Sequence, residues 1–130
     1  MSGFSDYLED KVLEHVFGGN AFTAPSTLYV ALYTVAPSDT GGGTEVSGGG
    51  YARQTSTFNV SGTNPTEATN ASAIEYPEAT ANYGTVVAVG VLDDLTSVNL
   101  RAYSTLTSSK TIDSGDVFRI NAGNLDITLA

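Results

Sequence analysis

Thr27-Leu28-Tyr29-Val30-Ala31-Leu32-Tyr33-Thr34 decides the fold class. Leu28, Val30 and Leu32 alternate with Tyr29, Ala31 and Tyr33, and a period of two is what a strand imposes, because successive side chains leave opposite faces of the pleat. The segment therefore reads as a strand with one aliphatic and one aromatic face. Pro37 and the stretch 39–50 break it. That stretch contains Gly41, Gly42, Gly43, Gly48, Gly49 and Gly50, and it is expected to be a flexible loop over about 39–50.

Upstream of the strand the period changes. Residues of about 5–18 place Leu8, Val12 and Val16, with Leu13 and Phe17, on one face at helical spacing. Ser5 or Asp6 can cap this helix, Glu9 and Asp10 complement its dipole, and Gly18 and Gly19 supply a left-handed stop. A helix of about 12 residues is marginal alone, so it must dock on its own domain or on a neighbour. Downstream, strands are expected at about 51–60, 71–76, 84–92, 99–107, 117–121 and 125–129. Segment 84–92 is nearly continuous Val, Ala and Gly and reads as a central strand buried on both faces. Asp93-Asp94 and Ser114-Gly115-Asp116 mark turns, and Asn121-Ala122-Gly123-Asn124 reads as a hairpin connection between the last two strands. The fold class is thus mainly β: an antiparallel β-sandwich or barrel-like domain with one N-terminal α-helix. A single domain over 1–130 is expected, its β part over about 26–130.

Composition narrows function by exclusion. The chain has 130 residues, with 14 Asp and Glu against 5 Lys and Arg, a net charge of −9, no cysteine and one histidine. No disulfide, thiolate metal site or cysteine nucleophile can form, and one histidine cannot build a multi-histidine metal site. Such acidity argues against nucleic acid and against an anionic membrane surface as partners. No apolar run approaches the 18 residues of a membrane span. The first ten residues lack the basic start and apolar stretch of a signal peptide.

Few residues are equipped for chemistry. His15 beside Glu14 reads as a helix-surface or interface histidine, since no Gly-x-Ser-x-Gly nucleophile context accompanies it. Asp39-Thr40-Gly41 matches the short aspartic-protease signature, which a dimer could duplicate, but here it opens a triple-glycine loop. The glycine stretch lacks the Gly-Lys-Ser/Thr ending of a phosphate loop, and Glu45 would repel a phosphate. Asp93/Asp94, Asp113/Asp116 and Asp39/Glu45 lack the alternating spacing of a helix-loop-helix calcium site and read as solvated turns. Asn59-Val60-Ser61 and Asn70-Ala71-Ser72 fit the N-glycosylation pattern without a secretory context. No catalytic residue, metal or cofactor is expected, and the chain is expected not to be an enzyme.

The order of segments resembles a family of small tailed-phage structural proteins, often labelled tail-fibre-like. The residues that carry the resemblance include the opening helix through His15 and the segment Thr23-Ala-Pro-Ser-Thr-Leu-Tyr-Val-Ala-Leu-Tyr-Thr34. Thr44-Glu-Val-Ser-Gly-Gly-Gly-Tyr-Ala-Arg-Gln54 is the most specific piece. Tyr83-Gly-Thr-Val86, Val89-Gly-Val-Leu-Asp93 and the stretch from Asn99 to Asp116 complete it. The resemblance implies virion structure. The leading expectation is a capsid decoration or cement protein, a homotrimer bound to the major capsid protein or other virion proteins, within a virion assembled in a bacterial cytoplasm. The alternative is a tail-fibre or baseplate subunit that binds tail protein or host surface, with Tyr76, Tyr83, Asn82 and Asn70 as carbohydrate candidates; a dimeric aspartic protease is the third reading. For the partner interface the candidates are Glu45, Tyr51 and Arg53, then the face formed by Phe4, Leu8 and Val12. Arg53 stands out as one of only 5 cations, and a guanidinium suits interface pairing.

Overall fold

The computed structural model describes residues 2–63, 65–94 and 99–129. In chain order the elements are β1 (Ser2–Phe4), α1 (Asp6–Val16), β2 (Leu28–Val35), β3 (Thr44–Glu45), β4 (Gln54–Ser56) and β5 (Phe58–Ser61). They continue with β6 (Thr66–Asn70), β7 (Ile74–Glu75), β8 (Gly84–Leu92), β9 (Leu100–Ile112), β10 (Arg119–Ile120) and β11 (Asp126–Leu129). The principal sheet has the order β1-β9-β8-β2-β3, with β4 also on β2. Strands β5, β6 and β11 form a second sheet and β7 with β10 a third, all antiparallel. This is the mainly β, open sandwich-like class with one helix near the N-terminus.

The alternation in β2 sorts its side chains as a strand must. Val30 and Leu32 enter the main core with Val46, Ile74, Tyr76, Val86, Val89 and Val91. Ala31 and Tyr33 enter a smaller cluster on the other face with Ala88, Leu92 and Leu100. Strand β8 is buried on both faces as expected, with an irregularity between Val86 and Ala88 that shifts its parity. Opposite Val87 stand the four residues 106–109 of β9, so the outer half of that long strand bulges away. The second face accepts Tyr33 because Gly90 has no side chain: a Cβ there would lie 2.7 Å from the Tyr33 ring and 2.8 Å from Leu100 Cδ1.

Helix α1 begins at Ser5, whose Oγ accepts from the Leu8 N–H (3.2 Å) and donates to the Leu100 carbonyl. The Ser5 N–H donates to Arg101 O (2.8 Å) and the Asp6 N–H to Asp39 O (2.8 Å). One residue thus caps the helix and fixes it to the start of β9. Of the two places the sequence leaves open for it, its own domain or a neighbour, the N-terminal segment takes the first and docks on its own sheet. Its last turn closes through the Gly18 N–H to Glu14 O (3.0 Å), and Gly19 takes the left-handed φ of 77°.

The strand expected at 51–60 splits into β4 and β5 on different sheets, that at 99–107 runs on to Ile112 as β9, that at 117–121 shortens to β10, and three further regions differ. The strand expected at 71–76 shrinks to β7, and the unexpected β6 precedes it, because polar Thr66-Glu67-Ala68-Thr69-Asn70 is placed by ladder bonds rather than by apolar alternation. The turn at 121–124 forms (Asn124 N–H to Asn121 O, 3.1 Å), but β10 pairs with β7 and β11 with β6, so it joins two sheets instead of closing a hairpin. Asn70 causes this. Only 2% exposed, it donates from Nδ2 to Ser72 O (2.8 Å) and Asn121 O (3.0 Å) and accepts at Oδ1 from the Leu125 N–H (3.0 Å). Its amide is fully engaged, so the Asn-Ala-Ser motif presents nothing to a glycan. The third difference is the glycine stretch, which contains β3 and carries Val46 into the core. Gly49 approaches Ala81 O so closely that a Cβ would sit 2.7 Å from it, and the Thr80 N–H donates to Gly49 O (2.9 Å).

Asn70→Ala leaves the turn carbonyls and the Leu125 N–H without their buried partner and is expected to lower stability by roughly 2–4 kcal/mol in urea unfolding. Asn59→Ala, at an exposed position, should change it by less than about 0.5 kcal/mol.

Candidate partner interface

Glu45, Tyr51 and Arg53 are brought together and engaged by their own chain. Because β3 and β4 follow one another along one edge of β2, with Glu45 opposite Tyr33 and Gln54 opposite Val30, the residues between them must loop out and return to that edge. The Gly48–Gly50 run does this with positive φ throughout, and the Tyr51 N–H donates to Gly48 O (3.0 Å). Glu45 then meets Tyr51 and Arg53. Arg53 grips the carboxylate with two bonds, Nε to Oε2 at 2.9 Å and Nη2 to Oε1 at 2.8 Å. The Tyr51 hydroxyl donates to Oε2 (2.7 Å) and accepts from the Leu32 N–H (3.0 Å) of the central strand. Arg53 Nη1 reaches Asp94 O at 2.8 Å, tying β4 to the end of β8. The Arg53 side chain is 8% exposed and that of Glu45 25%, so the clamp is a planar bidentate pair sheltered from water, where such pairs have most effect.

The titration behaviour follows from this geometry. Burial pushes the Glu45 carboxyl up, but the hydrogen bonds from Arg53 and Tyr51 outweigh it and hold the group below its ordinary value. The Glu45 hydrogen bond raises the Arg53 guanidinium further. Burial, then the bond to Glu45, pushes the Tyr51 hydroxyl well up, and burial does the same to Tyr76. The Tyr51 ring stacks on that of Tyr76 (centroids 6.1 Å apart) and meets Tyr83 edge-on (5.8 Å), so the clamp rests on the aromatic core.

Phe4, Leu8 and Val12 occupy a different place, on the helix side. Phe4 and Leu8 line a cavity of about 260 Å³ between α1 and the sheet, together with Phe22, Leu28, Val91 and Ile127. Val12 is half-buried beside them and does not line it. The far end of the helix is bare: Leu13, Val16 and Phe17 are exposed, Phe17 to 80%. His15 stands there too, its Nδ1 accepting from the Phe22 N–H (3.0 Å), so it holds the connector to β2 against the helix.

The remaining candidates are scattered. Asp39 accepts from the Tyr103 hydroxyl and helps seat the helix. Of the carbohydrate candidates, Asn70 and Tyr76 are buried, the Tyr83 hydroxyl donates to Pro77 O (3.0 Å), and Asn82 Oδ1 accepts from the Ser114 N–H (2.9 Å). Asp116 Oδ2 accepts from the Asp113 N–H (2.9 Å), which makes that acid pair a turn. Among the described residues no group of three His, Cys, Asp or Glu is placed to hold a metal ion. One residue escaped the sequence reading: Arg101, a cation between Leu100 and Ala102 in an otherwise apolar strand start. It donates from Nη2 to Asp93 Oδ2 (2.5 Å) and lies between the rings of Tyr7 (5.2 Å) and Phe22 (4.8 Å).

Fold and site together define a small antiparallel β-protein in which two arginine pairs brace its own strands and Leu13, Val16 and Phe17 form an exposed apolar group at one helix end, with Val35, Val60 and Val117 exposed singly elsewhere. Residues 3–128 match the family described as Podophage GP4 fiber I protein gp80, and the chain belongs to that phage fibre-protein family. No curated protein matches the sequence.

Because the folded pKa of Glu45 lies below its unfolded value, the clamp stabilises fully above the ordinary carboxyl value of about 4.3 and is lost as pH falls through the lowered one. Glu45→Gln is expected to lower stability at neutral pH and to flatten its acid-side decline, measured as urea midpoints across that range. An unchanged acid-side slope would remove Glu45 from the explanation.

Proposed function

We propose that this chain is a structural subunit of a phage virion, placed in or on a fibre, and that it works by binding other virion proteins rather than by catalysis. The observation that carries the reading is the match to a fibre-protein family across residues 3–128. The resemblance seen in the sequence agrees on virion structure. Head decoration, the first expectation, has only the small acidic β domain behind it.

The physical means is surface burial. Leu13, Val16 and Phe17 expose apolar area at the end of a helix whose start is fixed to the sheet, and covering such area contributes roughly 25 cal/mol per Å². Phe4, Leu8 and Val12 continue this side of the molecule toward the cavity, and the Glu45, Tyr51 and Arg53 clamp holds the neighbouring glycine turn in shape. A subunit that binds only assembled partners stabilises the assembly by mass action, and repetition of the contact adds avidity.

Antibody labelling of intact particles of the encoding phage tests this in electron micrographs. Signal on tail fibres is expected; signal over the heads would establish decoration instead, and purified particles free of the protein would remove the virion reading. Phe17→Ser, at an exposed position and without new charge at the helix C-terminus, should change folding stability by less than about 0.5 kcal/mol and is expected to reduce incorporation into particles at least tenfold, read by quantitative immunoblot.

A further inference from the structure

The cavity beneath the helix holds an unusual buried cation. The Arg101 side chain is 8% exposed, and its Nε and Nη1 are buried without a hydrogen-bond partner among the described residues. A buried donor left unmade costs about 1–3 kcal/mol, and native structures keep few of them. The same residue lines the 260 Å³ cavity with Phe4, Leu8, Phe22 and Ile127. Two independent features, an empty apolar space and unanswered donors, meet at one side chain.

We propose that this cavity receives one apolar side chain of a polypeptide segment from a virion partner, and that Arg101 donates Nε–H and Nη1–H to a neutral carbonyl of that segment. The size fits: at about 30 Å³ per water-sized group, the space takes roughly nine heavy atoms, about one whole leucine residue, side chain and backbone together. Charge selects the acceptor. Asp93 already neutralises Arg101 through Nη2, and the chain as a whole carries −9, so a second carboxylate would be repelled where a peptide carbonyl is not. Access is through Phe22. Its ring covers the guanidinium at 4.8 Å and also lines the cavity, and its connector has no regular structure between α1 and β2, held there by the Phe22 N–H to His15 and by Asn20 to Glu14. That one ring thus borders both the cavity and the guanidinium that carries the two donors.

The inference takes its partner from the fibre-subunit reading but is tested on the isolated protein. N-acetyl-leucine methylamide, N-acetyl-leucine and N-acetylglycine methylamide are titrated into ¹⁵N-labelled protein and followed by NMR. The neutral leucine probe should give saturable shifts at the Leu8, Val91, Ala102 and Ile127 amides and move the Arg101 Nε–H resonance downfield. The carboxylate should bind about fivefold more weakly, the difference of one hydrogen-bond-sized contribution, and the glycine probe should not saturate. Arg101→Met should abolish the preference for the neutral probe while keeping the shifts at Leu8 and Ile127. Should that variant not fold, Ala68→Leu fills the cavity from β6 and must block the leucine probe. No saturable shift, an unmoved Arg101 Nε–H, or undiminished binding to Ala68→Leu overturns the proposal. A negative titration removes the pocket and leaves the particle labelling to stand; a negative labelling removes the fibre reading and leaves the titration intact.

Discussion

A strand buried on both faces must be covered twice, and that demand on β2 organises the molecule. On its aliphatic face the cover is bulky: the short strands β5, β6, β7, β10 and β11 bring Ile74, Tyr76, Ile120 and Leu125 over Val30 and Leu32. On its other face the space is thin, and small residues make it. Ala31, Ala88 and Gly90 form a floor on which Tyr33 and Leu100 lie flat, with the glycines at 41–43 beside them. The irregularity in β8 exists to serve both sides, turning Val86 inward with Val89 although their spacing is odd. Removing either cover would expose the apolar side chains of β2 to water, at roughly 25 cal/mol per Å².

The two arginines answer the same demand at the ends of the strands. Arg53 joins β3, β4 and the end of β8 through Glu45 and the Asp94 carbonyl, while Arg101 joins the start of β9 to Asp93 and to rings from the helix and connector. Both arginines reach the residues just after β8, Arg53 at the Asp94 carbonyl and Arg101 at the Asp93 carboxylate. Buried pairs of this kind add little net stability compared with apolar packing, but breaking one is costly, so they set which strands meet. Arg53 was conspicuous as a rare cation, and its interest as a contact residue now lies in the turn it shapes.

Much of this was legible because period is a strong signal. The strand at β2, the central strand β8, the helix with its Ser5 cap and glycine stop, and the antiparallel class were all readable from spacing and caps. Strand β6 was not, since its alternation is threonine and glutamate and its position comes from hydrogen bonds to distant segments. Nor was the crossing of residues 121–124 between sheets, which depends on Asn70 fifty residues away and looks locally like any Asn-Gly turn. At the site, the identity of Glu45, Tyr51 and Arg53 as a group was visible from their closeness in sequence; that they satisfy one another was not, because it follows from β3 and β4 sharing one edge of β2. Arg101 carried a faint signal, a charge inside an apolar run, which becomes informative only when its unanswered donors are seen.

Placing two of the 5 cations inside the fold also changes what the exterior looks like to another copy. Lys11, Lys110 and Arg119 are left to face a surface otherwise dominated by carboxylates. Free molecules therefore approach one another against a field of one sign, felt over about 8 Å at physiological ionic strength. Under the proposed virion role, the exposed Phe17 end would be covered by a partner surface while the acidic sides hold free copies apart.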